Sequence, residues 1–149
     1  MLEGLLRAIV SGFLGAAGFG ALLHAPKKGI LWGAVIGSVG YTAYWLIFHL
    51  TGSELPAMFV GALLAATLGQ IAARRLHMIS TVFVTIAILP LVPGIGLYRA
   101  MSAMGQGDMM TGAKTAVHAM SLIMMIVMGP GLGSALFSIR RAAVKEELH

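Results

Sequence analysis

The sequence predicts an all-α polytopic membrane protein with five transmembrane helices, the fourth of them broken between Pro90 and Gly96. Hydrophobic residues make up 58% of the 149 and charged residues only 10%, whereas a soluble domain carries about 25% charged residues. The mean hydropathy is +0.92, and the apolar residues are gathered into segments long enough to cross a bilayer. Because so few polar groups are present to cover a water-facing surface, lipid is the predicted solvent.

Five apolar segments cover the chain, each roughly 19 to 22 residues or about 30 Å long as a helix. They form a single predicted transmembrane domain over residues 1–149. The first is interpreted as a helix and not as a cleaved signal peptide, because Glu3 precedes the only early cation, Arg7, and glycines interrupt the apolar run. The predicted spans are residues 5–23, 30–50, 55–73, 79–97 and 116–137.

The basic residues predict how the helices are oriented. Seven cations in three clusters follow the first, third and fifth spans, against three cations on the opposite side. Since cytoplasmic loops carry the excess of lysine and arginine, this distribution predicts an N-terminus outside and a C-terminus in the cytoplasm. The net charge of +5 forms no continuous basic face, which argues against nucleic-acid binding. The three clusters are Lys27 with Lys28, Arg74 with Arg75, and Arg140 and Arg141 with Lys145.

Small residues recur at a spacing of four in three of the predicted helices. Such stripes let helix backbones approach closely, either within the chain or against a partner. Packing within the chain is the simpler interpretation, but three stripes among five helices also favour a partner subunit. The stripes are Gly12, Ala16 and Gly20; Gly29, Gly33 and Gly37; and Gly61, Ala65 and Gly69.

The fifth predicted helix has two further features. Met120, Met124 and Met128 share one face, and methionine there indicates adaptable packing rather than a metal site. The tripeptide Gly129-Pro130-Gly131 follows, and it predicts a second kink.

The most informative segment is the decapeptide from Pro90 to Arg99 at the end of the fourth predicted span. Pro90 and Pro93 lack backbone donors and clash with the preceding turn, and Gly94 and Gly96 weaken the helix further. In a bilayer, such a break persists only where protein or a wet cavity satisfies the freed backbone groups. The break is therefore a candidate substrate site.

Side chains near the break are candidate cargo ligands. The hydroxyls of Thr81 and Thr85 could donate to an anionic substrate or bond to their own helix. Tyr98 is either a further contact or an anchor in the aromatic belt. Arg99 either extends to the headgroups or faces the cavity, where its guanidinium suits a carboxylate.

Three polar residues outside the break are candidates for ion coupling or gating. Asp108 lies in a polar loop before the fifth span, where a helix cap is the default role. Gln70 falls late in the third span, where an amide commonly joins helices. His118 is the only histidine placed inside a span rather than at its end, so it could relay protons.

No motif for a cofactor or for catalysis is found in the sequence. It lacks a Walker loop, a dinucleotide fingerprint, a nucleophile elbow and a His-Glu-x-x-His motif, and it contains no cysteine. The other histidines are too scattered for a zinc site. We therefore expect no cofactor, no bound metal and no enzymatic activity.

Around the break the sequence resembles the threonine/serine exporter family. The matching residues are Pro90-Leu91-Val92-Pro93-Gly94, Gly96, Tyr98-Arg99 and Gly107-Asp108, with Ala25-Pro26-Lys27-Lys28 and Ala72-Ala73-Arg74-Arg75 further upstream. One departure is His77-Met78-Ile79-Ser80, where the family pattern has a proline-containing entry to the span. The match is closest to the small split subunit, the YjjB-like branch, and its five-span layout covers essentially the whole chain.

The resemblance implies a subunit in the bacterial inner membrane that works with a larger YjjP-like subunit. The subunit could also assemble with further copies of itself. The implied cargo is threonine and serine, or dicarboxylates such as succinate. Carried over by position, the half-site consists of Pro90, Pro93, Gly94, Gly96, Tyr98 and Arg99.

The residues alone leave other functions open beside a secondary exporter. A channel could use the broken segment as a re-entrant filter, and a scaffold protein could use the glycine stripes to bind other helices. An intramembrane enzyme is least favoured, because no convincing acid–base pair is evident. An exporter without a nucleotide site would draw its energy from an ion or proton gradient.

Overall fold

The computed structural model describes the backbone of residues 2–146 and the side chains of residues 3–135. Within this part of the chain there are six α-helices and one short 3₁₀ turn, with no strand. The helices are α1 (Leu2–Leu22), α2 (Lys27–Thr51), α3 (Glu54–Leu76), α4 (Ser80–Ile88), α5 (Gly94–Gly105) and α6 (Met109–Glu146), and the 3₁₀ turn is Leu89–Leu91. The predicted all-α class is confirmed.

Four of the helices, α1, α2, α3 and α6, are each long and apolar enough to cross a membrane. The segments Ser80–Leu91 and Gly94–Gly105 pass the same test together, but they are bent by 52° relative to one another. Counted as one broken span, this pair gives the five predicted spans, with the break in the fourth.

The break itself is narrower than predicted. Pro90 lies inside the 3₁₀ turn, and Gly94 and Gly96 lie inside α5, so only Val92 and Pro93 are outside helical geometry. Pro90 is tolerated because it falls in the first two positions of the 3₁₀ turn, where its missing N–H would have no helical partner. The second half of the span extends to Gly105 and not, as predicted, to residue 97.

The last helix also begins earlier than predicted, at Met109 rather than near residue 116. The Thr111 N–H donates a hydrogen bond of 3.1 Å to Asp108 Oδ1, so Asp108 caps this helix in its expected default role. The hydrogen bonds from the Thr111 side chain and backbone hold the pKa of the Asp108 carboxyl below its ordinary value. The cap thus allows helix to form ahead of the apolar segment.

Helix α4 lies at the centre of the fold, against α1, α2 and α3, while α6 packs against α3 and α5. Phe83 and Ile86 of α4 are fully buried. The neighbouring surfaces are mostly alanine and glycine, which allow close packing where lipid supplies no hydrophobic driving force. One buried hydroxyl, Ser38 of α2, donates to the Ile9 carbonyl of α1 at 2.8 Å, so no unsatisfied donor is left there.

The three small-residue stripes serve packing within the chain. A methyl group added at Gly61 would lie 2.9 Å from the Gly40 carbonyl oxygen, and one added at Gly37 would lie 2.7 Å from the Ala16 Cβ. The first stripe meets α2 in the same way, since a methyl group at Gly12 would lie 2.9 Å from the Tyr41 Cβ. The simpler interpretation of the stripes is therefore the correct one, and they are no argument for a partner subunit.

The outer surfaces of α5 and α6 are strongly apolar. Met120, Met124 and Met128 are 60%, 71% and 52% exposed, so the methionine face of α6 points outward. Helix α6 continues through Pro130 without interruption. An apolar outer surface of this kind is what a lipid-facing or partner-facing helix requires.

Candidate substrate cavity

A cavity of about 700 Å³ lies beside the break in the fourth span. Every helix except α4 contributes to its wall, and the 3₁₀ turn and the break itself form one side. Its lining consists of Phe19, Tyr41, Tyr44, Glu54, Met58, Leu89, Pro90, Leu91, Val92, Pro93, Gly94, Ile95, Gly96, Arg99, Thr115, His118, Ala119 and Leu122.

The break presents the N-terminus of α5 to this cavity. The Gly94 N–H donates a hydrogen bond of 2.7 Å to the Val92 carbonyl oxygen. Regular helical hydrogen bonding starts with the Leu97 N–H, which donates to the Pro93 carbonyl oxygen at 3.1 Å. The first backbone N–H groups of a helix have no intrahelical partner, and the helix dipole is positive at this end. Since Gly94, Ile95 and Gly96 line the cavity, this wall favours an anionic group.

Charged side chains of both signs face the same space. Arg99, in the second turn of α5, is the only arginine or lysine among the described lining residues, and Glu54, at the start of α3, is the only acid. His118 of α6 meets Glu54 directly, with 2.8 Å between Nε2 and Oε2. The cavity therefore offers a cation, a carboxylate and a titratable imidazole.

The remaining wall is largely apolar and aromatic. The Tyr41 and Tyr44 rings of α2 lie 5.7 Å apart and both line the cavity beside Met58 and Leu122. Apolar walls with a small number of convergent polar groups are typical of small-molecule sites.

The predicted site residues fall into two groups. Six of them line the cavity: Pro90, Pro93, Gly94, Gly96, Arg99 and His118. Five others do not belong to its lining: Tyr98, Thr81, Thr85, Asp108 and Gln70.

The residues outside the cavity have other surroundings. Tyr98 is 71% exposed, and Thr81 and Thr85 lie on the exposed side of α4. Asp108 caps α6. Gln70 lines a smaller pocket of about 240 Å³ with Arg74 and Ser80, at the end of α3 remote from Glu54.

Five polar or aromatic lining residues were not among the predicted site residues: Glu54, Thr115, Phe19, Tyr41 and Tyr44. Glu54 and His118 are 64 positions apart in the chain, and no local pattern pairs them. A signal was nevertheless present, because Glu54 opens the third span and His118 lies early in the last one, which the predicted topology places at the same membrane face.

A family model described as the threonine/serine exporter ThrE matches residues 8–136. The chain belongs to this family. The match covers all the predicted spans almost completely, including the break and the residues around the cavity. Membership in an exporter family agrees with the helices long enough to cross a membrane, and it makes the chain a multi-pass membrane protein of a transport family.

One similar curated protein is described as an uncharacterized protein of Haemophilus influenzae. It is 28% identical over 91 residues, which cover 61% of this chain and 31% of the relative. The matched segment thus spans about a third of the relative's length. No solved structure matches the chain.

Proposed function

We propose that the chain is one subunit of a secondary transporter that exports small amino acids, with threonine and serine as the leading cargo. The observation that carries this proposal is the cavity at the broken span, whose lining includes both the Arg99 guanidinium and the Glu54 carboxylate. Transporters of other folds also bind cargo at broken helices whose N-termini point at anionic groups.

The charges of the cavity favour an amino acid over a dicarboxylate. A zwitterion carries one carboxylate and one ammonium group. The carboxylate suits Arg99 and the N-terminus of α5, and the ammonium suits Glu54. A dicarboxylate such as succinate would place its second carboxylate near Glu54, where like charges repel. Succinate is therefore the second candidate cargo.

A larger partner subunit is part of the proposal. The His118 side chain remains 56% exposed although it lines the cavity, so the wall is incomplete on this side. The apolar outer face of α5, with Ile95 and Met101 more than 70% exposed, adjoins the opening. A second membrane subunit, YjjP-like or another copy of this chain, would close the cavity there.

The proposed location is the bacterial cytoplasmic membrane, with the N-terminus outside and the C-terminus inside. In this orientation the Glu54 end of the cavity faces outward. No nucleotide site is evident in the sequence, so we propose that an ion or proton gradient supplies the energy.

Efflux from cells tests this function. Cells preloaded with labelled threonine, serine or succinate should export threonine and serine faster, and saturably, when the chain is present with its partner than when it is deleted. The same cells measured without a membrane gradient should no longer export the compound against a higher external concentration. Equal efflux of all three compounds with and without the chain would contradict the proposal, and faster efflux of succinate alone would replace the amino-acid cargo.

A further inference from the structure

The contact between Glu54 and His118 suggests how export is coupled to a gradient, provided that the proposed function holds. We propose that Glu54 serves two cations in turn: the protonated imidazole of His118 and the ammonium group of the cargo. Binding of a proton and binding of cargo then exclude one another, which is the minimum that proton–cargo exchange requires.

Geometry makes the imidazole and the cargo competitors. Glu54 Oε2 lies 2.8 Å from His118 Nε2, so the carboxylate is already in contact with the imidazole of α6. The same carboxylate is the only acidic side chain among the described residues that line the cavity. A cargo ammonium that approaches this wall has no other anionic partner there.

Charge balance acts in the same direction as geometry. With cargo bound, its carboxylate neutralises Arg99 and Glu54 neutralises the cargo ammonium. A proton on His118 would then add an uncompensated positive charge to a cavity that already holds two cations, and like charges repel. Without cargo, Glu54 is free to stabilise the imidazolium. Cargo binding therefore expels the proton, and protonation weakens cargo binding.

The other titratable groups around the pair do not replace His118 in this role. Tyr41 and Tyr44 of α2 and Arg99 of α5 line the same cavity. Phenol and guanidinium groups keep their ordinary charge across neutral pH, whereas histidine changes charge between about pH 5 and 8. Helix α1 contributes only Phe19, and Lys114 of α6 is not part of the lining.

The sequence of events conserves charge and protons. In the proposed orientation the pair lies toward the outside, so a proton from external water adds to the imidazole nitrogen of His118 and Glu54 turns to it. The cargo ammonium loses its partner and leaves outward. When the cavity opens inward, the proton is lost to internal water and a new cargo molecule takes its place at Glu54.

The decisive experiment uses everted membrane vesicles from the native host, in which export appears as uptake of labelled L-threonine. For His118→Gln we expect loss of accumulation driven by a proton gradient, while threonine–threonine exchange without a gradient continues. Exchange needs no proton, so a variant that only lost its fold would lose both activities. The matched control is His49→Gln on α2, since His49 packs against the Trp45 ring and is not part of the cavity lining, and it should retain both activities.

The unaltered protein gives a second test that does not depend on how a variant folds. With equal pH on both sides, the apparent KM for exchange should rise as the pH falls from 8 to 5.5, by up to about tenfold per pH unit for one competing proton. In His118→Gln vesicles the KM should be flat over this range.

The outcomes separate this inference from the proposed function. Absence of chain-dependent threonine uptake from wild-type vesicles would contradict the exporter function, and the coupling inference with it. Threonine uptake with a pH-independent KM in the wild type, or gradient-driven accumulation that persists in His118→Gln, would overturn the coupling inference alone.

Discussion

Replacing Arg99 with alanine is expected to reduce saturable efflux of threonine and serine by about 10- to 100-fold. Arg99 is the only basic side chain other than histidine in the described lining of the cavity, and its loss leaves the cargo carboxylate with the N-terminus of α5 alone. Removing one partner of a charge-assisted hydrogen bond has effects of this size. The measurement is efflux of labelled amino acid as a function of internal concentration, which gives kcat and KM separately.

Two further variants test whether the effect depends on the guanidinium group of Arg99 and on its position. Arg99→Lys keeps the charge but loses the forked geometry, so an intermediate efflux is expected. Arg7→Ala removes an exposed arginine of α1 that does not line the cavity and should leave efflux near the wild-type level. Unchanged saturable efflux in Arg99→Ala would show that this arginine faces the headgroups and has no role in cargo binding.

The largest effect on stability is expected at Gly129. A methyl group there would lie 2.8 Å from the Leu63 backbone nitrogen and 2.9 Å from the Ala62 carbonyl carbon. Backbone atoms of α3 cannot move aside as a flexible side chain could, so α3 and α6 must separate. We expect Gly129→Ala to destabilise the protein by about 1–3 kcal/mol, measured by unfolding in detergent micelles.

Gly131 provides the matched control two residues away. It lies on the other side of Pro130 in the same helix, and a methyl group added there meets nothing within 4 Å. Gly131→Ala should therefore be neutral or should stabilise α6 by up to about 1 kcal/mol through helix propensity. Equal free energies of unfolding for the two variants would contradict this account, because they would show that close packing of α6 on α3 does not require glycine at position 129.

The sequence is sufficient to predict the all-α class and the location of the break, because these depend on local composition. Long apolar segments predict membrane spans, and closely spaced prolines predict a break in a helix, whatever the tertiary context. The extent of the break was overestimated, since a proline in the first positions of a 3₁₀ turn and glycines inside α5 are compatible with helical geometry. The start of α6 was placed too late because the Asp108 cap lies outside the apolar segment.

The candidate site was predicted only in part, for a different reason. Residues adjacent to the break, such as Pro93 and Arg99, were found because the break itself marks them. Thr81 and Thr85 were assigned by proximity in sequence, but the side of α4 that they occupy faces away from the cavity. The pairing of Glu54 with His118 depends on how α3 packs against α6, which is decided by contacts such as that of Gly129 with Ala62. Such long-range packing has no local sequence signal.

The glycine stripes illustrate the same limit. Small residues four positions apart predict a helix surface on which another helix can pack closely. The spacing does not predict which helix packs there. Gly37 and Gly61 meet Ala16 and Gly40 within the chain. The exposed apolar surface is instead the outer face of α5 and α6, where methionines replace small residues.

The central claim, that cargo occupies the cavity at the break, can be tested by cysteine labelling, because the natural chain contains no cysteine. Gly96→Cys places a thiol on the cavity wall, where its Cβ would lie 3.6 Å from the Ala119 Cβ in ordinary contact. Gly105→Cys is the control, since Gly105 has open space around it and is not part of the lining. The rate of reaction with a hydrophilic maleimide is measured with and without L-threonine. We predict that threonine slows labelling of Gly96→Cys and not of Gly105→Cys, whereas a Gly96→Cys rate that no amino acid or dicarboxylate changes would contradict a cargo site at the break.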